Sequence, residues 1–130
     1  MPRESAYELF RSGTDLLERG DCHAAAVALA RARDLEPEKA SVREALGRAL
    51  FGAQRYEEAA AEFRIVADRA PTNDYALFCL GRALQLLGRH EEARRPLALA
   101  SCMRPERADY RRYLGQARRR ALRGRPEGAA

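Results

Sequence analysis

Leu46, Ala49, Leu50 and Ala53 recur at spacings of three and four, the mark of one buried face on a helix. Gln54, Arg55 and Tyr56 interrupt this stripe, and Ala59, Ala60, Phe63, Val66 and Ala67 begin a second one. Pro71 ends it, because proline lacks the amide proton a helix interior needs and drives the preceding residue out of helical space. Thr72 or Asn73 then offers a side-chain oxygen to cap a following helix. The pattern predicts two helices joined by a tight turn.

The same pattern returns along the chain. Gly13, Gly47, Gly81 and Gly115 stand 34 residues apart, as do Pro37, Pro71 and Pro105, and Ala25, Ala59 and Ala93. A fixed period of this length is the signature of stacked repeats. Each mid-helix glycine costs about 1 kcal/mol relative to alanine. A cost taken in phase needs a packing reason, namely a close helix–helix approach that a Cβ would obstruct. The phased alanines of the second helix follow the same logic.

A 34-residue helix–turn–helix unit with Leu-Gly, then Ala, then a large apolar residue, then Pro resembles the tetratricopeptide repeat. With repeats starting at Ala6, Ala40 and Asp74, the family's small residue matches Gly13, Gly47 and Gly81, and its large residue matches Leu16, Leu50 and Leu84. Its second-helix positions match Ala25, Ala59 and Ala93, then Leu29, Phe63 and Leu97, then Ala32, Val66 and Ala100. The turns from Arg55 and Arg89 into Glu-Glu-Ala also look typical, and Gly20-Asp21-Cys22-His23 is a looser version. Departures remain. Leu9, Arg43 and Leu77 stand where the family often has Trp, Ser12 replaces a leucine, and Pro96 inside a second helix is expected to kink it.

The resemblance implies an all-α fold: an α-solenoid of three repeats in a right-handed superhelix, closed by a capping helix. The expected layout is one domain over 1–123, with repeats 6–39, 40–73 and 74–107, a cap at about 108–122 and a flexible tail over 124–130. The cap carries Leu114 and Gly115 in phase, and Tyr110 or Tyr113 adds to its inner face. A stack of this kind needs a polar-backed end.

Composition agrees and narrows the function. The 130 residues suit one domain, with 26 Ala and 16 Leu against three Val and one Ile. No apolar run approaches about 20 residues, so no membrane span is expected. Arg3 and Glu4 lead into an amphipathic stretch instead of the apolar core of a secretion signal. Cys22, Cys79 and Cys102 are few, odd in number and far apart, which suits reduced thiols in a cytoplasmic, bacterial setting better than a disulfide scaffold.

Catalytic and metal chemistry is not expected. His23 and His90 lack zinc-like partners, and no histidine stands in phase with a cysteine. The glycines fall one per repeat, mid-helix, without forming a phosphate loop. Glu57-Glu58 and Glu91-Glu92 suit helix first turns, where acids complement the positive end of the dipole. The expectation is a non-enzyme without cofactors.

In the family the first helices line a concave groove. Carried over residue by residue, the groove would comprise Tyr7, Phe10, Thr14 and Leu17, then Ser41, Glu44, Arg48 and Phe51, then Tyr75, Phe78, Arg82 and Gln85, and Asp109, Arg112, Gln116 and Arg119 from the cap. Five of the nine aromatics fall on this set, and aromatics with Arg are what binding hot spots are made of. The alternative is that these rings pack against neighbouring helices. One family subtype clamps terminal carboxylates with Lys, Asn, Asn, Lys and Arg, where this chain has Phe10, Thr14, Ala45, Tyr75 and Cys79. That clamp is absent.

Charge is uneven: residues 1–73 carry 11 basic and 13 acidic groups, residues 74–130 carry 13 and 6. Arg111, Arg112, Arg118, Arg119, Arg120, Arg123 and Arg125 crowd the C-terminal segment, as a solvated cap face, a contact for acidic protein, or a contact for nucleic acid or anionic membrane. The expected function is a protein–protein interaction module, a scaffold, adaptor or co-chaperone-like protein. It would bind a peptide or helix with apolar and acidic side chains. The alternatives are a nucleic-acid accessory protein and a self-assembling repeat protein.

Overall fold

The computed structural model describes residues 4–124, which form seven α-helices and no strand. They run α1 (Ala6–Glu18), α2 (Cys22–Leu35), α3 (Ala40–Gly52), α4 (Tyr56–Arg69), α5 (Asp74–Leu86), α6 (His90–Met103) and α7 (Ala108–Arg123). Each helix packs mainly on its neighbours in sequence, so the chain is an all-α repeat solenoid. The tail expected over 124–130 lies outside the described residues from Arg125 onward, as do residues 1–3.

The phased glycines are contact points. A Cβ added to Gly13 would lie 2.5 Å from Leu29 Cγ, one on Gly81 2.5 Å from Leu97 Cγ, and one on Gly47 2.8 Å from the Phe63 ring. Leu29, Phe63 and Leu97 are fully buried, so none can step aside without opening the core. Gly115 differs. It was expected on the inner face of the cap, yet its nearest non-neighbouring atom is a guanidinium nitrogen of Arg119 at 3.3 Å, and no second helix among the described residues faces it.

Turns within repeats close in one way. The amides of Asp21, Arg55 and Arg89 donate to the carbonyls of Leu16, Leu50 and Leu84, five residues back. The residue before each donor is left-handed: Gly20, Gln54 and Gly88. Ser5 and Glu8 form a reciprocal capping box on α1, and Asn73 accepts from the Ala76 amide to cap α5.

Arg43, which departs from the family pattern, proves to have a buried partner. Glu62 accepts from Arg43 Nη1 at 2.8 Å and from Arg33 Nη1 at 2.6 Å, and is itself only 5% exposed. One repeat later the equivalent residues are Ala67, Leu77 and Pro96, all buried. The two interfaces thus solve one packing problem with charge and with apolar volume. Pro96 sits in α6 without ending it, and α6 has the same 14 residues as α2 and α4.

The cap α7 is fastened at its first turns. Tyr110 is fully buried, its ring stacked on Phe78 at 4.5 Å and its hydroxyl donating to Asp74 at 2.7 Å. Leu114 and Ala117 are also buried, while Arg111, Arg118, Arg119, Arg120 and Arg123 face solvent.

Gly47→Ala should lower unfolding free energy by about 1–3 kcal/mol through overpacking. Gly115→Ala should raise it by roughly 0.5–1 kcal/mol through helix propensity alone. Urea melts followed by circular dichroism test this contrast. Glu62→Leu should cost about 3–5 kcal/mol by leaving Arg43 buried and unpaired, whereas Arg33→Ala, Arg43→Leu and Glu62→Leu together should melt near or above wild type.

Candidate functional site

A cleft of about 540 Å³ has walls that come from first helices, with Phe63 of α4 at its base. Of the residues expected on the groove, Leu17, Arg48, Phe51, Tyr75, Phe78, Arg82, Asp109 and Arg112 line it. The repeat period explains why: side chains one repeat apart point the same way, so α3, α5 and α7 present them in register.

Other expected groove residues lie elsewhere. Tyr7, Phe10 and Ser41 line a separate, smaller cleft with Val42 and Lys39, so the surface is divided in two. Thr14 returns its hydroxyl to the Arg11 carbonyl at 3.0 Å. Glu44 does not line the cleft, although its charge reaches Tyr75 and Cys79. Gln116 is half-buried outside it. Arg119 lies along Gly115, its guanidinium 3.3 Å from where a Cβ would stand.

Gln85 is a clear correction. It was expected to face the groove, but it is 8% exposed and serves as a strut. Its amide donates to the Tyr113 carbonyl at 3.0 Å, and its Oε1 accepts from Arg82 Nη1 at 2.9 Å. A buried amide must satisfy its polar atoms, and the backbone of the cap is what lies in reach.

The sequence reading did not place Gly52, Phe63, Cys79 or Tyr113 in this cleft. Cys79 and Tyr113 occupy one repeat phase, shared with Ala45, so the period itself carried the signal. Tyr113 is central to the geometry. The Arg82 guanidinium lies 3.9 Å from its ring centroid and that of Arg112 4.9 Å, while Phe78 stands at 5.7 Å. Arg on an aromatic face keeps its charge available at its edge.

Asp109 is engaged by Arg107, at 2.8 and 3.0 Å. Among the described residues, Arg48, Arg82 and Arg112 have no carboxylate partner. The cleft therefore offers three cations and five aromatic rings, Phe51, Phe63, Tyr75, Phe78 and Tyr113. Partial burial pushes the Tyr75 phenol up to about 12 and the Cys79 thiol up to about 12, so both are neutral at pH 7. Cys79 is thus poorly suited to act as a nucleophile. Cys102, on a helical face where a free cysteine is usually buried, is exposed. Among the described residues no three His, Cys, Asp or Glu side chains gather as metal ligands, and no helix is long and apolar enough to cross a membrane.

The cap wall is held by the Asp74–Tyr110 pair. Burial opposes ionisation of Asp74, but the bond from Tyr110 and the guanidinium of Arg104 outweigh it and hold the carboxyl below its ordinary range. Burial, then the bond to Asp74, raises the Tyr110 phenol.

A family model for the tetratricopeptide repeat matches residues 10–74 and 45–104. The fold is similar to that of MamA AMB-1, with 25% identity and a TM-score of 0.84, over 92% of this chain and 65% of that one. It is also similar to MamA 41-end from Desulfovibrio magneticus RS-1, with 23% identity and a TM-score of 0.85, over 91% of this chain and 67% of that one. The first repeat domain of Spaghetti (RPAP3), bound to the HSP90 peptide SRMEEVD, has 18% identity and a TM-score of 0.83, over 92% of this chain and 94% of that one. Below a quarter identity, the last two show the fold alone. No curated protein sequence matches the chain.

Tyr110→Phe should cost about 1.5–3 kcal/mol at pH 7, the scale of a hydrogen bond to a charged group. The lowered carboxyl of Asp74 contributes stability that is complete above the unfolded value near about pH 4 and is lost as pH falls through the folded value. The raised phenol contributes below about pH 10 and is lost above it. The wild-type advantage should therefore shrink at both extremes, measured as the difference between the two proteins' melts across pH.

Proposed function

This chain belongs to the tetratricopeptide repeat family, and from that premise we propose that its main cleft holds a peptide or helix of a partner protein bearing apolar and acidic side chains. The fold is that of a protein–protein interaction module, and the family is typically non-catalytic. The convergence of Arg48, Arg82 and Arg112 with Phe51, Tyr75, Phe78 and Tyr113 carries the reading. Aromatic rings give contact area at low entropic cost, and guanidiniums without internal carboxylates await external ones.

The peptide-bound neighbour supports a peptide on such a scaffold. The means of recognition would differ here, because Phe10, Thr14, Ala45, Tyr75 and Cys79 stand where the carboxylate-clamp subtype has its polar set. Acidic side chains inside the ligand, met by Arg48 and Arg82, take the place of a gripped chain end. A reducing, cytoplasmic compartment fits three free thiols.

The test variants are those whose side chains lie in the cleft without holding the core. Phe78 is ruled out, since its ring carries the Tyr110 stack. Tyr75 and Arg48 are exposed. Peptides selected by phage display against the wild-type chain should carry Asp or Glu beside an aromatic or leucine. Tyr75→Ala with Arg48→Ala should weaken the best of them about thirtyfold, the scale of losing roughly 2 kcal/mol at a hot spot, with helicity unchanged. A folded double variant that binds as well as wild type overturns the reading.

A further inference from the structure

The glycines of α1, α3 and α5 are each covered by a second helix, and among the described residues nothing of that kind covers Gly115 of α7. The surface around it has the layout of a seat for one. Ala98 of α6 and Leu114 of α7 line a groove between those helices, rimmed by Arg95 and Arg118 and by Glu91, which is paired with Arg94 at 3.0 Å. One and two repeats earlier, the equivalents of Leu114 are Leu80 and Leu46, both buried, and Gly81 and Gly47 meet Leu97 and Phe63 of the covering helix.

Two differences define what would fit. Arg118 stands where Leu16, Leu50 and Leu84 stand in the repeats, so beside Ala98 and Leu114 the rim carries three arginines against one acid, Glu91, which Arg94 already engages. Among the described residues, neither Arg95 nor Arg118 has a carboxylate partner, and the one acid of α7, Asp109, is taken by Arg107. Only the flexible tip of Arg119 overlies the glycine. A mid-helix glycine costs about 1 kcal/mol against alanine, and here no contact within the described residues offsets it.

We propose that this open seat takes an acidic amphipathic helix from a partner protein. Its apolar side chain lies over Gly115 and Leu114, and its carboxylates meet Arg95 and Arg118. A polyanion would satisfy the arginines but would have no use for a notch without a Cβ above an apolar floor. The seat lies apart from the concave cleft and shares no lining residue with it, so either surface can fail without the other.

The chain supplies its own probe. A synthetic, end-capped peptide of the α4 sequence, Tyr56–Arg69, carries Phe63, which covers Gly47 in the intact protein, together with Glu57, Glu58, Glu62 and Asp68. Titrated to about 1 mM, the upper range of weak specific binding, it should shift the amide signals of Ala98, Leu114, Gly115 and Arg118 in the labelled full chain. Gly115→Leu, which meets only the flexible tip of Arg119, should keep or raise the melting temperature and weaken the probe about tenfold or more by filling the notch. Arg95→Glu with Arg118→Glu should weaken it about fivefold or more and favour a probe with lysines in place of its four acids.

Four results would overturn the proposal: no shifts at these residues, equal binding to folded Gly115→Leu, displacement of the probe by duplex DNA that itself shifts the same signals, or sedimentation showing copies of this chain already paired through the seat.

Discussion

How closely a first helix can approach its second helix governs this structure. Gly13, Gly47 and Gly81 let the backbone of α1, α3 and α5 touch Leu29, Phe63 and Leu97 where any side chain would collide. The small alanines Ala25, Ala59 and Ala93, all fully buried, extend that contact along the second helix. Close approach determines where each helix face points, and the 34-residue period copies that direction from repeat to repeat. The cleft exists because three first helices turn the same face the same way.

Charge is placed with comparable economy. A buried carboxylate is tolerated at Glu62 because two guanidiniums reach it, and where they are missing Pro96, Ala67 and Leu77 fill the space. Asp74 is held ionised by Tyr110 and Arg104, which ties the third repeat to the cap. The same tie sets the position of Tyr113, so the binding wall depends on a contact that never enters the cleft.

At the surface the logic reverses. Arg48, Arg82 and Arg112 border aromatic rings without internal acids, and the outer arginines of α7 are likewise uncompensated among the described residues. Such groups contribute little to stability where they stand. They become valuable when a partner supplies carboxylates and excludes water.

The sequence by itself determined the repeat, because glycine, alanine and proline in phase report steric demands that each unit meets locally. The helix starts at Ala6, Ala40, Asp74 and Ala108 follow from that period. Much of the cleft was legible for the same reason, since Arg48, Phe51, Tyr75, Phe78, Arg82 and Arg112 share a recurring face. Tertiary structure decided what period cannot reach: which neighbour a side chain meets. Gln85 has a groove phase but turns inward to the Tyr113 carbonyl, and Phe10 has one but lies in a separate cleft. Arg43 looked like a flaw until Glu62, nineteen residues away, came within 2.8 Å. Gly115 keeps the phase of its fellows, yet among the described residues no second helix stands before it. Periodicity specifies direction along one helix, whereas contact depends on what the next helix places opposite.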